Sequence, residues 1–267
     1  MMEPRTLSAG HGWTWITSGF RLFMKSPWIW LAQIALLFLC AKVLTYVPVV
    51  GVIFVLLIPV FIAGLMEGCR ALDEGQELKI LHITCGFRRN AGALVTLGGI
   101  SLVVNLVVVM IAFSLGGEAM SSLAKTLSQN PTMTPELTDQ ARAATATVGR
   151  ALLVATLISL PLLMALWYAP LLVYFHDAGP AAAMKSSFFA CLKNTLPLLV
   201  YGLVIMGAMF LVMPISLALG QYGLALWLLA PVVLPSLYTS YKDIYMPTPA
   251  QASHTPASAT SDPNRGN

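Results

Sequence analysis

The residues best suited to chemistry are acids and histidines that flank the apolar segments of the chain. Carboxylates and imidazoles that gather on one face could bind a cation or activate a water molecule. Seven residues qualify: Glu67, Asp73, Glu74, His82, His176, Asp177 and Asp243. Their spacing matches no defined metal-ligand pattern. We therefore expect solvated helix ends and no metal site, and an enzyme would require these side chains to converge on one point.

Cysteines could form a second kind of site. Cys69, Cys85 and Cys191 could bind zinc together with His82, but the paired C-x-x-C spacing of most structural zinc sites is absent. Cys40 falls inside an apolar run, and the other three would lie on the reducing side of the membrane, so we expect free thiols. The sequence also contains no glycine-rich phosphate loop and no serine elbow. We predict a protein that is not an enzyme and has no cofactor.

Composition indicates which elements must position these residues. The chain has 57% hydrophobic and 10% charged residues and a mean hydropathy of +0.78, whereas soluble domains have about 25% charged residues. Runs long enough to cross about 30 Å of hydrocarbon lie at about 28–46, 49–66, 91–114, 151–174, 195–217 and 224–241. We predict an all-α integral membrane protein with six spans in three antiparallel hairpins, occupying residues 11–245. Residues 1–10 and the tail 246–267, which lacks apolar periodicity, should be disordered.

A short amphipathic segment precedes each hairpin and should form an interfacial helix. In residues 11–25, apolar side chains follow one helical stripe and polar or basic side chains follow another, and residues 79–89 and 181–193 repeat this plan. Six basic residues of these segments are candidate contacts to anionic lipid headgroups: Arg21, Lys25, Arg88, Arg89, Lys185 and Lys193. The alternative is that they only set the topology.

An internal repeat emerges when Phe20, Phe87 and Phe188 are placed in register. The two positions before each phenylalanine are small, which allows helices to approach closely in lipid. These candidate packing positions are Ser18, Gly19, Cys85, Gly86, Ser186 and Ser187. The second span of each hairpin also passes into an acid, at Asp73, Asp177 and Asp243. We prefer three degenerate repeats, although interfacial helices with the same task would also resemble one another.

The longest polar interruption, residues 118–148, separates the third and fourth spans. Thr134, Pro135 and Glu136 have the pattern of a helix start, and no breaker follows before Pro161. A helix from Thr134 to Pro161 already exceeds the thickness of a bilayer core. We expect these two spans to project from the membrane as a helical hairpin.

Basic residues predict the orientation. Of the 15 Lys and Arg residues, the predicted topology places only Lys42, Lys125, Arg142 and Arg150 on the side opposite the interfacial helices. Because short loops rich in Lys and Arg remain in the cytoplasm, both termini should be cytoplasmic. The net charge of +4 is small and dispersed, which argues against nucleic acid as a partner. Membrane lipids, including anionic ones, are the expected partners.

Four segments carry a resemblance to a known family: GWTWITSGFRLFMKSPW, GFRRNAGALVTLG, AMKSSFFACLKNTLPLLVYG and YTSYKDIY. Over roughly residues 11–245 the chain resembles an uncharacterised, betaproteobacterial-type family of multi-pass inner-membrane proteins of Gram-negative bacteria. That family is related to YciC-like proteins and to the membrane domain attached to some glycerophosphodiester phosphodiesterases. The clearest motif is residues 183–187 with Lys193 and Asn194. The resemblance implies a helical inner-membrane protein, and it implies no catalytic residues because the phosphodiesterase domain is missing.

Two functions are compatible with this sequence. The first is a non-enzymatic protein that organises the envelope or interacts with lipid. The alternative is a small-molecule or lipid transporter with a path opened at Pro161, Pro170 and Pro214. No Asp, Glu, Lys, Arg or His lies in the middle of a predicted span, and such residues usually mark proton pathways. The first function is therefore preferred.

Overall fold

The computed structural model describes residues 3–44, 48–129, 135–220 and 224–246. Over these ranges the chain forms nine α-helices and one 3₁₀ helix, with no strand. The elements are α1 (His11–Met24), α2 (Pro27–Leu44), α3 (Pro48–Asp73), the 3₁₀ helix (Ile80–Phe87), α4 (Ala91–Gln129), α5 (Pro135–Trp167), α6 (Ala169–His176), α7 (Pro180–Lys193), α8 (Thr195–Ala218) and α9 (Leu224–Tyr245). The predicted all-α membrane class is confirmed.

Five helical segments are long and apolar enough to cross a membrane: α3, α4, α5 together with α6, α8 and α9. A sixth span is obtained when α1 and α2 are taken as one segment that bends by 99°. The bend lies at Ser26 and Pro27, and a proline at the first helical position disfavours helical backbone in the residue before it. The 18 residues of α2 are largely apolar, and α1 lies at a steep angle to them, so the pair has the composition of one bent span.

The hairpin of α4 and α5 is longer than the predicted spans 91–114 and 151–174. Helix α4 has 39 residues, which corresponds to about 58 Å at about 1.5 Å per residue and exceeds a hydrocarbon core of about 30 Å. Helix α5 begins at Pro135 with Glu136 in its first turn, as expected, and Thr134 lies outside the described residues. The two helices pack closely, since a Cβ on Gly116 would lie 3.1 Å from that of Ala151.

The three hairpins close into a ring at one end of the molecule. The first hairpin is α2–α3, the second is α4 with α5 and α6, and the third is α8–α9. The 3₁₀ helix, which precedes the second hairpin in the chain, packs on α3 of the first hairpin. Helix α7, which precedes the third hairpin, packs on α5 of the second hairpin. Helix α1 packs on α9, the last helix of the chain. We call the end where these three short helices lie the basic end.

The core also lies at the basic end. The largest fully buried aromatic side chains are Trp15, Trp30, Tyr168, Tyr238 and Tyr241. By contrast, most large apolar side chains of α8 are exposed, as expected for a helix that faces lipid. Aromatic packing at one end therefore joins helices that separate elsewhere.

The segment that precedes α4 differs from the expected amphipathic α-helix. Residues 80–87 form a 3₁₀ helix, and the Nδ1 atom of His82 accepts a hydrogen bond of 3.2 Å from the N–H of Lys79 at its start. A 3₁₀ helix rises by about 2.0 Å per residue, so a short segment can reach from the end of α3 to the start of α4. Its two buried residues, Ile83 and Gly86, lie on α3.

The described part of the N-terminal segment 1–10, which is predicted to be disordered, makes hydrogen bonds to the helices. The N–H of Arg5 donates to the carbonyl of Ile244 at 3.1 Å. The N–H of Leu7 donates to Oδ1 of Asn194 at 2.9 Å, and Nδ2 of Asn194 donates to the carbonyl of Arg5 at 2.7 Å. Asn194 is fully buried, and a buried amide requires such partners, which orders the segment. Of the predicted tail 246–267, only Met246 lies within the described residues.

Candidate functional site

Three acids at the basic end bind side chains of other elements. Asp73 ends α3, Asp177 follows α6 and Asp243 lies in the last turn of α9. Lys242 Nζ lies 2.5 Å from the carboxylate of Asp73, and His11 Nδ1 lies 2.6 Å from that of Asp243. These contacts join the first hairpin to the third, and the third to α1. These acids lie at helix ends with side chains that are 25–60% exposed, and each also has a specific protein partner.

Asp177 has the most extensive set of partners. Arg89 donates to both of its carboxylate oxygens, at 2.5 and 3.1 Å, and Asn90 Nδ2 donates to it at 2.6 Å. The hydrogen bond from Arg89, followed by that from Asn90, lowers the pKa of Asp177 below its usual range. Asn90 and Asp177 both have left-handed backbone conformations, with φ of 55° and 52°. They start α4 and end α6, so the contact fixes the register of the second hairpin.

The remaining acids and histidines do not converge on one point. Glu67 pairs with Arg70 at 2.5 Å, and His176 Nε2 lies 2.6 Å from the hydroxyl of Tyr241. Burial lowers the pKa of His82 below its ordinary value. Within the described part of the chain, no three side chains of the His, Cys, Asp and Glu types group as metal ligands.

Among the residues that the structure describes, the proposed zinc ligands Cys69, His82, Cys85 and Cys191 do not form a metal-ligand group. Cys191 Sγ donates to the carbonyl of Met164 on α5 at 3.5 Å, and burial raises the pKa of this thiol to about 12. Cys69 is buried in α3, and Cys85 in the 3₁₀ helix is half-buried. All the cysteines are free thiols. A buried, protonated thiol packs as a small apolar side chain, which is the role the structure gives to Cys191.

The second position of each small pair lies against the second helix of a hairpin. A Cβ on Gly19 would come within 2.5 Å of the backbone nitrogen of Ser236 on α9, and one on Gly86 would collide with the carbonyl oxygen of Val60 on α3. Ser187 on α7 is fully buried and donates to the carbonyl of Met164 on α5 at 2.7 Å. Three equivalent positions thus make equivalent contacts, which favours the repeat interpretation.

The first position of each pair is less enclosed. Ser18, Cys85 and Ser186 are all half-buried. Ser186 shares a hydrogen bond of 3.3 Å with the hydroxyl of Tyr245. These positions lie beside the helix contacts. The closest approach between neighbouring helices is made by the residue immediately before Phe20, Phe87 or Phe188.

The six candidate basic residues divide into two groups. Lys25 Nζ donates to the carbonyl of Leu72 at the end of α3 at 2.8 Å, and Arg89 is paired with Asp177. The other four side chains are exposed and form no ion pair within the described ranges: Arg21, Arg88, Lys185 and Lys193. Lys25 therefore joins α1 to α3, and Arg89 joins the two ends of the second hairpin, whereas the other four cations remain directed toward the surroundings.

Exposed apolar side chains accompany these four cations on the short helices. They are Trp13 and Phe20 on α1, Ile80 and Phe87 on the 3₁₀ helix, and Phe189 and Leu192 on α7. Large apolar side chains beside basic residues are typical of helices that lie in the headgroup region of a bilayer. The basic end thus presents both a hydrophobic and a cationic component.

The three prolines proposed for a transport path have different surroundings. Pro161 lies inside α5 and Pro214 inside α8, whereas Pro170 follows a break at Tyr168 that separates α5 from α6. Ser187 contacts the backbone at this break. The break is therefore filled by α7.

The fold and its membrane-length helices define an all-α multi-pass membrane protein. The chain is 28% identical over 258 residues to a probable inner membrane protein of Burkholderia thailandensis, across 91% of this chain and 93% of that protein. No family model matches the chain, and no solved structure matches it. The comparison supports a relationship to inner-membrane proteins. The relationships to YciC-like proteins and to the phosphodiesterase membrane domain stay predictions.

Proposed function

We propose that this chain is a non-enzymatic protein of the bacterial inner membrane that binds anionic lipid headgroups at its basic end. The observation that carries this proposal is the set of exposed cations Arg21, Arg88, Lys185 and Lys193 beside exposed apolar side chains. Both termini lie on the cytoplasmic side in this proposal, because the basic end carries the positive charge. The same contacts would let the protein organise lipid around itself in the envelope.

Electrostatics gives the expected strength of this binding. A basic residue near an anionic membrane surface contributes about 1 kcal/mol, so four such residues favour anionic over zwitterionic lipid measurably. The contribution weakens as salt is added, because exposed charges are screened over about 8–10 Å at ordinary ionic strength. Lys25 and Arg89 are excluded from the set because their cationic groups already have protein partners.

The absence of an enzyme activity is supported by how the acids are used. Asp73, Asp177 and Asp243 each accept contacts from basic or aromatic side chains that hold hairpins together. A general acid or base needs to reach a substrate, and these carboxylates are committed to structure.

Reconstitution into bilayers of two compositions tests the proposal. Wild-type protein should have a higher Tm in vesicles rich in phosphatidylglycerol than in phosphatidylcholine vesicles, and the difference should shrink in high salt. The variant R21Q/R88Q/K185Q/K193Q should lose the difference. The control K125Q/R142Q/R150Q, which changes basic residues on α4 and α5 away from the basic end, should retain it. Equal Tm values for the wild type in both lipids would refute the proposal.

The alternative function, a lipid or small-molecule transporter, has one observation in its favour. An apolar crevice opens between α5 and α8. Its lining suits a lipid chain better than a polar solute. Transport would require the occupant to move between leaflets, and flux of a labelled lipid across vesicles that contain the protein would measure this.

A further inference from the structure

A crevice of about 390 Å³ lies between α5 and α8, with α7 at one end. Its walls are mainly apolar, and they include Leu160, Leu163 and Trp167 of α5 and Leu199, Gly202 and Ile205 of α8. Trp167 and Tyr201 meet edge to face at 6.3 Å between ring centroids. The two helices therefore touch at this pair and diverge along the rest of the crevice.

The polar side chains that line the crevice already have partners. Cys191 donates to Met164, and Thr195 donates to the carbonyl of Leu192 at 2.8 Å. The hydroxyl of Tyr201 lies 2.8 Å from Oγ of Ser236. None of the three needs a further partner in the crevice, so the space suits an apolar occupant.

A comparison of α8 with α4, counted from the start of each helix, shows that protein fills the corresponding space beside α4. Gly98 is the seventh residue after the start of α4, and Gly202 is the seventh after the start of α8. A Cβ on Gly98 would collide with the carbonyl of Leu56, because α4 packs directly on α3. A Cβ on Gly202 would meet nothing within 4 Å. Helix α8 thus has the small residue of a close helix contact without the neighbouring helix.

The length of the crevice indicates what fills it. Along α8 it runs from Thr195 to Ile205, which is about 15 Å at about 1.5 Å per residue. This is about half of a hydrocarbon core of about 30 Å, and so it matches the depth of one leaflet. A helix from a second copy of the chain would be expected to cross both leaflets.

A basic residue adjoins the lining residues at one end of the crevice, and its charge favours a phospholipid as the occupant. Lys193 is exposed and lies in sequence between the lining residues Cys191 and Thr195, where α7 turns into α8. A phosphate held near this ammonium group would leave its acyl chain beside the apolar wall of α8.

We infer that the crevice between α5 and α8 holds one acyl chain of a phospholipid from the leaflet at the basic end, with its anionic headgroup beside Lys193. The choice of an anionic headgroup rests on the proposed function. The acyl-chain site itself rests on the crevice, its length and the comparison of Gly98 with Gly202.

Photolabelling with phosphatidylglycerol that carries a diazirine in the middle of one acyl chain tests the inference. The carbene inserts into a neighbouring C–H bond with loss of dinitrogen, and mass spectrometry locates the adduct. Adducts are expected on the crevice walls of the full chain in vesicles. The substitution Gly202→Phe should lower this labelling by about tenfold, which corresponds to about 1.4 kcal/mol.

Gly207→Phe is the matched control, because Gly207 lies on the same helix, has open space at its Cβ and does not line the crevice. It should label like the wild type. Leu199→Trp provides a second way to fill the crevice, and it should lower labelling even if Gly202→Phe fails to fold. Unchanged Tm values in both glycine variants would show that lost labelling reflects lost space.

Three other outcomes are informative. Adducts spread evenly along α8 and insensitive to Gly202→Phe would overturn the acyl-chain site and leave the proposed function standing. A covalent dimer of the chain in place of a lipid adduct would overturn it in favour of a second copy. Equal labelling by a phosphatidylcholine probe, still abolished by Gly202→Phe, would support the acyl-chain site and contradict the anionic headgroup of the proposed function.

Discussion

The hydroxyl of Ser187 accepts a hydrogen bond of 2.9 Å from the backbone N–H of Tyr168. The same hydroxyl donates to the carbonyl of Met164 at 2.7 Å. These two backbone groups are four residues apart and would bond to each other in a continuous helix. A side chain from α7 is therefore inserted into the hydrogen-bond ladder between α5 and α6, which is a known cause of helix breaks.

Replacement of Ser187 by alanine should destabilise the protein. The N–H of Tyr168 is buried and would lose its partner, which costs about 1–3 kcal/mol. The free energy of unfolding in detergent, followed by circular dichroism, measures the loss. Ser186→Ala is the control, because Ser186 is half-buried and makes only a long hydrogen bond to Tyr245. Equal stability of the two variants would show that α5 and α6 rejoin without the hydroxyl.

Gly19→Ala and Gly86→Ala should each destabilise the ring by about 1–3 kcal/mol. Each new methyl group would meet backbone atoms of the neighbouring helix, which cannot move aside as a flexible side chain can. Gly149→Ala is the control, since a Cβ there meets nothing within 4 Å and alanine favours a helix interior. The repeat interpretation requires both Gly19→Ala and Gly86→Ala to lower the stability. A loss of stability in only one of them would contradict it.

Asp177→Asn should remove a pH-dependent part of the stability. Because the pKa of Asp177 is lowered in the folded chain, its contribution is fully present above the unfolded value of about 3.9 and is lost as the pH falls through the folded value. The Tm difference between wild type and variant should be constant from neutral pH to about pH 5 and decline below about pH 4. The control Asp139→Asn breaks an exposed pair with Arg142. A difference that persists undiminished at about pH 3 would contradict this assignment.

Orientation can be tested by cysteine labelling in spheroplasts. In a background without the native cysteines, a membrane-impermeant maleimide should label Lys125→Cys in intact spheroplasts. Lys185→Cys should react only after the membrane is opened, because α7 lies at the basic end. Both side chains are exposed, so accessibility depends on the side of the membrane. The reverse pattern would place the basic end outside the cytoplasm.

Part of this structure could be predicted because membrane helices need long apolar runs and end in polar residues. The all-α membrane class, the membrane-length apolar helices and the acids that end α3 and follow α6 could all be predicted from the sequence. The contacts of α1 with α9 were not, because they join residues more than 200 positions apart. No local pattern identifies such a pair.

Hydropathy also fails to identify which helices are buried. Helix α8 is more apolar than α9, yet α8 is largely exposed and the C-terminal half of α9 is buried. In a bilayer an apolar side chain gains little free energy when it moves from lipid into the protein interior, because both are apolar. Burial therefore depends on shape and hydrogen bonding. Asn194, which binds the N-terminal segment, stands out in the sequence only as part of a family motif. A lone polar residue between Lys193 and α8 gives no sign of the segment it will bind.

The central claim is that the exposed cations of the basic end select anionic lipid. Native mass spectrometry of protein released from mixed phosphatidylglycerol and phosphatidylcholine nanodiscs measures this selection directly. Wild-type protein and the control K125Q/R142Q/R150Q should retain phosphatidylglycerol preferentially, and R21Q/R88Q/K185Q/K193Q should retain the two lipids in proportion to their abundance. Proportional retention by the wild type, or preferential retention by the quadruple variant, would contradict the claim.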